Sequence, residues 1–370
     1  MYREVLKFYR GKRVFLTGHT GFKGSWMTKV LLDAGAKLCG YSLEPPTKPN
    51  LFTLAKLEEQ QSLQHHIGDI RDLKHLQEVF RAFRPEIVIH MAAQPIVRRS
   101  YEYPHETYDI NVMGTVNLCE CVRLSVPGGE LNSDDTDRWN GVRSFLNVTT
   151  DKVYENRETG RAFTEEMPLD GYDPYSNSKS CSELVTHSYN RSFFKTMEIA
   201  VSTARSGNVI GGGDFSQDRI VPDCVRAVLV GEPVVVRNPV SVRPYQHVLE
   251  PLFAYLIILI AQDADSSVAG SYNIGPDITD CVTTGEVVDL FVKKWGDGAV
   301  RRDVLDNGPH EAGLLRLNCD KLKGTFGWEP KWNVEKAIEK TVEWVRAYQK
   351  DPESIAECMK QQIVEYAGLL

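Results

Sequence analysis

Tyr175 and Lys179 stand four residues apart in Asp173-Pro174-Tyr175-Ser176-Asn177-Ser178-Lys179. On a helix that spacing puts both side chains on one face. Tyrosine, with an unperturbed pKa near ~10, is a poor base at neutral pH. A neighbouring ammonium, or the cationic ring of a bound cofactor, favours phenolate and makes Tyr175 a usable base toward a hydroxyl group. Upstream, Thr149-Thr150-Asp151-Lys152-Val153-Tyr154 sets hydroxyl, carboxyl and amine side by side after the apolar run Phe145 to Val148. Thr150, directly before Asp151, is the threonine expected to hydrogen-bond a reacting hydroxyl. Lys152 serves as a base only if burial or nearby positive charge holds it neutral. Otherwise it polarises the site, or simply caps a strand at the surface.

The N-terminus offers a seat for a dinucleotide cofactor. Thr17-Gly18-His19-Thr20-Gly21-Phe22-Lys23-Gly24 follows the apolar strand Arg13 to Leu16 and leads into a helix expected from about Ser25 to Ala34. Glycines at 18, 21 and 24 permit a tight turn and let the backbone approach a pyrophosphate at the helix N-terminus. After the second strand, Lys37 to Tyr41, no Asp or Glu stands at the strand end to grip an adenine ribose; Ser42 is best placed, and Glu44 is displaced toward Pro45-Pro46. No adjacent Arg or Lys awaits a 2′-phosphate, so NAD is expected rather than NADP. With the carboxylate missing, the cofactor is expected to leave readily. Lys179 is expected to hold the nicotinamide ribose as well as to support Tyr175.

The elements that position these residues alternate. Helix patterns at Leu73 to Phe83 and about Ile110 to Leu124 precede the strands Ile87 to His90 and Phe145 to Val148. This order implies an α/β fold, a doubly wound parallel (Rossmann) sheet covered on both faces. After Arg205 glycine and proline recur, which points to a smaller C-terminal substrate-binding region. The division expected is 1–205 for the dinucleotide domain, 206–346 mainly for the substrate region, with some segments returning to the first, and 347–370 for a helical tail. Gly128 to Gly141 reads as a solvated loop.

Composition narrows the partners. The 370 residues are 42% hydrophobic and 25% charged with a formal net charge of -7, so neither nucleic acid nor an anionic membrane is expected. The N-terminus shows no secretory pattern, and the apolar run Leu252 to Ala261 is too short to span a bilayer. None of the eight cysteines forms a CxxC pair. Reduced thiols in a cytoplasmic protein, with no metal, are the expectation.

The glycine turn, the Tyr/Lys pair and the Thr-Asp step together resemble the extended short-chain dehydrogenase/reductases, the nucleotide-sugar epimerase/dehydratase family. Gly68 to Asp72 and His90 to Gln94 resemble the family segments lining the adenine and nicotinamide-ribose sides, which implies cofactor contacts for Asp69, Ile70, Ala92, Ala93 and Gln94. Thr150-Asp151-Lys152 is similar to the Thr-Asp-Glu step of 4,6-dehydratases, with Lys152 where they carry glutamate. In that chemistry C4 of a hexose is oxidised, water is lost across C5 and C6, and the hydride returns to C6. The resemblance makes Asp151 the acid for the departing hydroxyl and leaves the C5 base open.

Thr17 to Trp26, Gly207 to Asp214, Asp218 to Pro222, Arg237 to Pro251 and His310-Glu311-Ala312 sharpen the likeness to the branch that takes CDP-glucose. A dehydratase of a dTDP-, GDP- or UDP-hexose and a nucleotide-sugar 4-epimerase are the rival readings. Arg237, Arg243 and His247 share one segment, with Arg219 and Arg301 or Arg302 as further candidates, and arginine's planar fork suits diphosphate oxygens. The resemblance favours Arg243 and Arg219, with Asn208 on the diphosphate or sugar. His310 is expected to meet a ribose or phosphate, or to form a structural pair with Glu311. It also implies a homodimer built from helices around Asn111 to Leu124 and Tyr175 to Tyr189, and a supporting role for Asn111.

Overall fold

Runs of β-branched and aliphatic residues, each too short for a helix, assemble into one seven-stranded parallel sheet. In the computed structural model, which describes residues 2–132, 139–304 and 314–370, its strands are β1 (Arg13–Thr17), β2 (Lys37–Ser42), β3 (Leu63–Ile67), β4 (Ile87–His90), β5 (Ser144–Thr150), β6 (Ala200–Ser206) and a last strand, Ser271–Ile274. The spatial order is β3-β2-β1-β4-β5-β6 followed by Ser271–Ile274. Order reverses between β1 and β4, and doubly wound sheets open a crevice at such a point, beyond the carboxyl ends of their strands. β5 and β6 are buried at every position, as strands covered on both faces must be.

Helices cover the two faces. The first begins at Phe22 rather than Ser25 and runs to Asp33, because the glycine turn passes straight into it. Gly24 lies inside this helix, where a Cβ would stand 2.0 Å from the Gly18 carbonyl oxygen. The segment expected from Ile110 to Leu124 opens with a wide turn, Asp109–Met113, and continues as the helix Gly114–Arg123. Leu249–Ala264, the most apolar helix, is buried along most of its length and packs against β5 and β6. Among the described residues no helix is long and apolar enough to cross a membrane.

Beyond β6, short strand pairs (209–210 with 246–247, 234–236 with 301–303, 242–243 with 282–283) form a cap over the carboxyl ends of β5 and β6. Between the segments of this cap the chain returns to the sheet through Ser271–Ile274, and it ends in two helices, Val334–Lys350 and Ile355–Ala367. The tail drawn from 347 therefore starts inside the first of these. Buried Glu250 holds this end down: its carboxylate accepts from the Lys331 and Trp332 amides at 3.0 and 2.7 Å and from the Tyr366 hydroxyl at 2.6 Å. Of the loop expected over Gly128 to Gly141, residues 133–138 lie outside the described residues; Glu130–Asn132 forms a single helical turn. All eight cysteines are free.

Candidate active site

β5 ends in Thr149 and Thr150, and the chain turns at once into the tight helical turn Asp151–Val153. Asp173 then caps the helix Pro174–Tyr189, accepting from the Ser176 amide and hydroxyl at 2.9 and 2.6 Å, with proline in the first turn where its missing N–H costs nothing. Tyr175 and Lys179 lie one turn apart on the face of this helix turned to β5. The Lys179 ammonium donates to the Val148 carbonyl at 3.0 Å. Burial lowers its pKa to about 8, with nearby Lys23 adding to the effect and Glu183 opposing it. Burial likewise pushes the Tyr175 phenol up to about 12, while a hydrogen bond with Thr150 and the charge of Arg219 pull it down.

Asp151 is 2% exposed. Its Oδ1 accepts from the Thr150 hydroxyl at 3.0 Å, and its Oδ2 is buried without a protein partner. Burial raises its pKa, against the pull of Lys152, Thr150 and Arg243. A carboxyl held in that way retains a proton more readily than a free aspartate and can give it up.

These groups open on one cavity of about 850 Å³, between the ends of β5 and β6 and the cap. Lys23, Ala93, Thr150, Asp151, Lys152, Tyr175, Lys179, Asn208, Arg219, Arg237 and Arg243 all line it. Residues distant in sequence are thus brought to one place. Arg243 is 3% exposed and donates to the Val242 carbonyl. Asn208 gives its carbonyl to the Gln246 amide at 3.0 Å. The Lys23 ammonium donates to Ser206 Oγ at 3.2 Å and to the Tyr255 hydroxyl at 3.0 Å, and burial with the charge of Arg219 lowers its pKa to about 7.

The remaining candidates surround the glycine turn. Gly18 has φ +77, and a Cβ there would stand 2.8 Å from the Ala92 amide nitrogen, so the turn admits no side chain. Gly21 caps the following helix with no side-chain hydrogen bond, which leaves the first-turn amides without a side-chain acceptor. This arrangement fits a pyrophosphate. Phe22 faces Gly211 instead. His19 is fully buried, with Nε2 2.6 Å from His65 Nδ1, and its ring lies against Gly40 of β2. Burial, reinforced by His65 and His66, drops its pKa to about 3 and keeps it neutral. Ser42 meets the Thr20 hydroxyl at 2.7 Å, while Glu44 is exposed. Asp69 is held by Arg71 at 2.6 Å, and Ile70 packs on Gly114. Gln94 spends its side chain on Ile96 and Thr107, and its amide nitrogen donates to Asn111.

Three further candidates fall outside the cavity. His247 is buried between Trp26 and Trp332, because the turn into Leu249–Ala264 points it into the core. Arg301 pairs with Asp289 and Asp303, and Arg302 is exposed on the same strand. His310 lies outside the described residues, as does Glu311. Sequence reasoning missed Arg98, Asp214, Asp218 and Asp223, which also line the cavity. Asp214 and Asp218 stood in segments noted for their resemblance, but nothing in their spacing announced a shared cavity.

Behind the site runs a buried ionic chain. Glu183, one turn beyond Lys179, accepts from Thr149, from Thr203 at 2.7 Å and from Arg205 at 2.9 Å. Arg205 also donates to the Tyr154 hydroxyl at 2.8 Å, and Tyr154 to Asn273 at 2.6 Å. Burial alone would raise the Glu183 pKa, yet Arg205 and the two threonines bring it below the usual glutamate value.

The family model described as GDP-mannose 4,6 dehydratase matches residues 15–341. The chain belongs to this dehydratase family. Within it, a CDP-glucose 4,6-dehydratase of Salmonella typhimurium is 42% identical over 367 residues, 97% of each chain. A dTDP-glucose 4,6-dehydratase of Xanthomonas campestris is 30% identical over 89% of this chain and 92% of its own. Among solved structures, dTDP-glucose 4,6-dehydratase from Bacillus anthracis in complex with NAD aligns with a TM-score of 0.74 at 25% identity, covering 94% of this chain and 100% of that one. A UDP-glucose 4-epimerase from Thermus thermophilus, also complexed with NAD, gives 0.75 at 26%, covering 90% and 99%.

Proposed function

We propose that this chain catalyses the NAD-dependent dehydration of CDP-D-glucose to CDP-4-keto-6-deoxy-D-glucose. One observation carries the reading: Asp151, a buried carboxyl with one oxygen lacking a protein partner, lines the same cavity as the Tyr175/Lys179 pair. Oxidation alone needs no such acid; elimination of a hydroxyl does. The CDP-glucose enzyme at 42% identity supports the choice of substrate.

NAD seated on the glycine turn supplies a hydride acceptor for C4 and a hydride donor for C6. The chain supplies the rest. Tyr175 removes the C4 hydroxyl proton as the C4 hydrogen leaves as hydride, with Thr150 hydrogen-bonding that hydroxyl and Lys179 favouring the phenolate. The ketone acidifies the C5 proton. Asp151 protonates the C6 hydroxyl as it departs, so one water leaves. Lys152 lines the site beside Asp151 and either takes the C5 proton and returns it to C5 as the hydride reaches C6, or polarises the ketone while another base makes that exchange. Arg219, Arg237, Arg243 and Asn208 hold the nucleoside diphosphate end. Exposed apolar side chains on adjacent helices, Tyr108, Met113 and Leu184, support a homodimer through that face.

The test offers CDP-, dTDP-, UDP- and GDP-glucose separately, with and without added NAD, and weighs the products by mass spectrometry. Loss of one water from CDP-glucose is expected. Loss from another nucleotide sugar keeps the mechanism and replaces the substrate, whereas isomerisation without mass change replaces dehydration with epimerisation.

A further inference from the structure

Asp218 stands at a crossing between the two halves of the cavity wall. Its Oδ1 lies 3.2 and 3.3 Å from the two terminal nitrogens of Arg237, which the cap supplies. The same oxygen is 3.9 Å from Arg98 Nε, on the helix Val97–Glu102 that follows β4 on the sheet side. Arg237 also meets Asp223 at 3.5 Å, and Arg219 meets Asp214 at 3.4 Å. Arginines gathered in one cavity repel each other, and here carboxylates neutralise them pair by pair.

The backbone at Asp218 is also unusual. It adopts φ +57, in the left-handed region that, after glycine, asparagine and aspartate enter most readily. That conformation sits one residue before the cap of the helix Ile220–Val230 and brings the carboxylate to both arginines. The pairs are weakly held. Arg98, Arg237 and Asp218 keep 32, 35 and 36% of their side-chain surface exposed, and ion pairs at that exposure are screened by water. A bidentate, doubly charged ligand outcompetes a single carboxylate for such guanidinium groups.

We propose that Arg98 is a ligand of the substrate diphosphate, and that Asp218 is its internal stand-in, a carboxylate that holds Arg98 and Arg237 across the cavity until a diphosphate displaces it. The inference rests on the nucleotide-sugar reading above and adds one residue from the sheet side and one competitor to it. Arg98 then lets the sheet half and the cap half grip the same anion. Asp218 keeps the guanidinium groups neutralised and aimed while the cavity awaits substrate, at the expense of some affinity.

The two residues should respond in opposite directions, which a purely structural ion pair would not do. Isothermal titration calorimetry on the NAD-saturated protein, so that the glycine turn is already filled, measures Kd for CDP and for inorganic pyrophosphate. Arg98→Ala is expected to weaken both by about tenfold or more, as loss of one charge-assisted contact does. Asp218→Asn is expected to tighten both by up to about fivefold, the scale of an exposed ion pair, because asparagine tolerates the left-handed backbone and only the charge is removed. Weaker or unchanged binding in Asp218→Asn overturns the stand-in, and unchanged binding in Arg98→Ala overturns the ligand. Opposite shifts with pyrophosphate in a protein that shows no preference for CDP over other nucleoside diphosphates would keep the exchange and discard the cytidine reading. Thermal unfolding of both variants checks the fold: an Arg98→Ala protein that melts as wild type yet binds pyrophosphate as wild type removes the proposal outright.

Discussion

Replacing Glu183 with glutamine tests the chain of charges behind the site. Glu183 and Arg205 are 0 and 1% exposed, so the substitution leaves a guanidinium buried without its counter-charge. Breaking one side of such a pair costs about 3–5 kcal/mol. Unfolding entropy is about 2.1 cal/mol/K per residue, so the 370 residues give about 0.8 kcal/mol/K and the melting temperature should fall by about 4–6 °C. Scanning calorimetry measures this directly. The same preparation should turn over more slowly, because the Thr149 hydroxyl that Glu183 accepts is next to Thr150 on the strand end. The control is Glu183→Leu combined with Arg205→Met, which removes both charges and should recover most of the lost stability. A glutamine variant melting with the wild type, or a double variant losing the sum of its singles, would refute the reasoning.

Asp151→Asn should still oxidise C4 but slow water loss by about 10²–10⁴-fold, read as accumulating reduced cofactor in single-turnover absorbance; undiminished dehydration removes Asp151 from the mechanism. Turnover should decline above about pH 8 as Lys179 loses its proton and Tyr175 its supporting cation. Arginine stays charged throughout, so whatever activity Lys179→Arg retains should lack that alkaline decline in a pH-rate profile. Burial raises the Glu250 carboxyl to about 7, against hydrogen bonds from Tyr366 and the two amides. Its pKa is higher folded than unfolded, so its contribution is full below about pH 4.5 and lost as pH rises through about 7. Glu250→Gln should flatten that part of the urea-stability profile.

Local signals made the first half of the chain legible. β-branched strands, the glycine turn and the proline after Asp173 act within a few residues of themselves, and β1, β2, β4 and β5 lie close to where periodicity put them, whereas β3 was not expected. That Tyr175, Lys179, Thr150 and Asp151 meet at one cavity was legible because their placement depends on spacing along one helix or one strand end. What lay beyond reading was long-range. No pattern says that Ser271–Ile274 rejoins the sheet, since four residues of edge strand carry little periodicity. Arginines read alike in sequence, yet Arg237 and Arg243 reach the cavity while Arg301 is spent on Asp289 and Asp303. His247 looked like a ligand beside its arginines and is instead core. Arg98 gave no signal, because the carboxylate it faces, Asp218, lies more than a hundred residues downstream.

The return of Ser271–Ile274 to the sheet bears on how the protein is made. A ribosome has synthesised Tyr175, Lys179 and Asp151 long before Asn273 emerges, yet the line from Glu183 through Arg205 to Tyr154 ends on Asn273, which accepts from the Tyr154 hydroxyl. Until then β6 is the bare edge of the nascent sheet, open to pairing with another chain. A polypeptide that stops short of this strand holds every candidate reacting side chain but leaves Tyr154 without its acceptor and β6 without its neighbour. Prematurely ended products should be prone to aggregate through that edge, which makes them conspicuous to proteolysis.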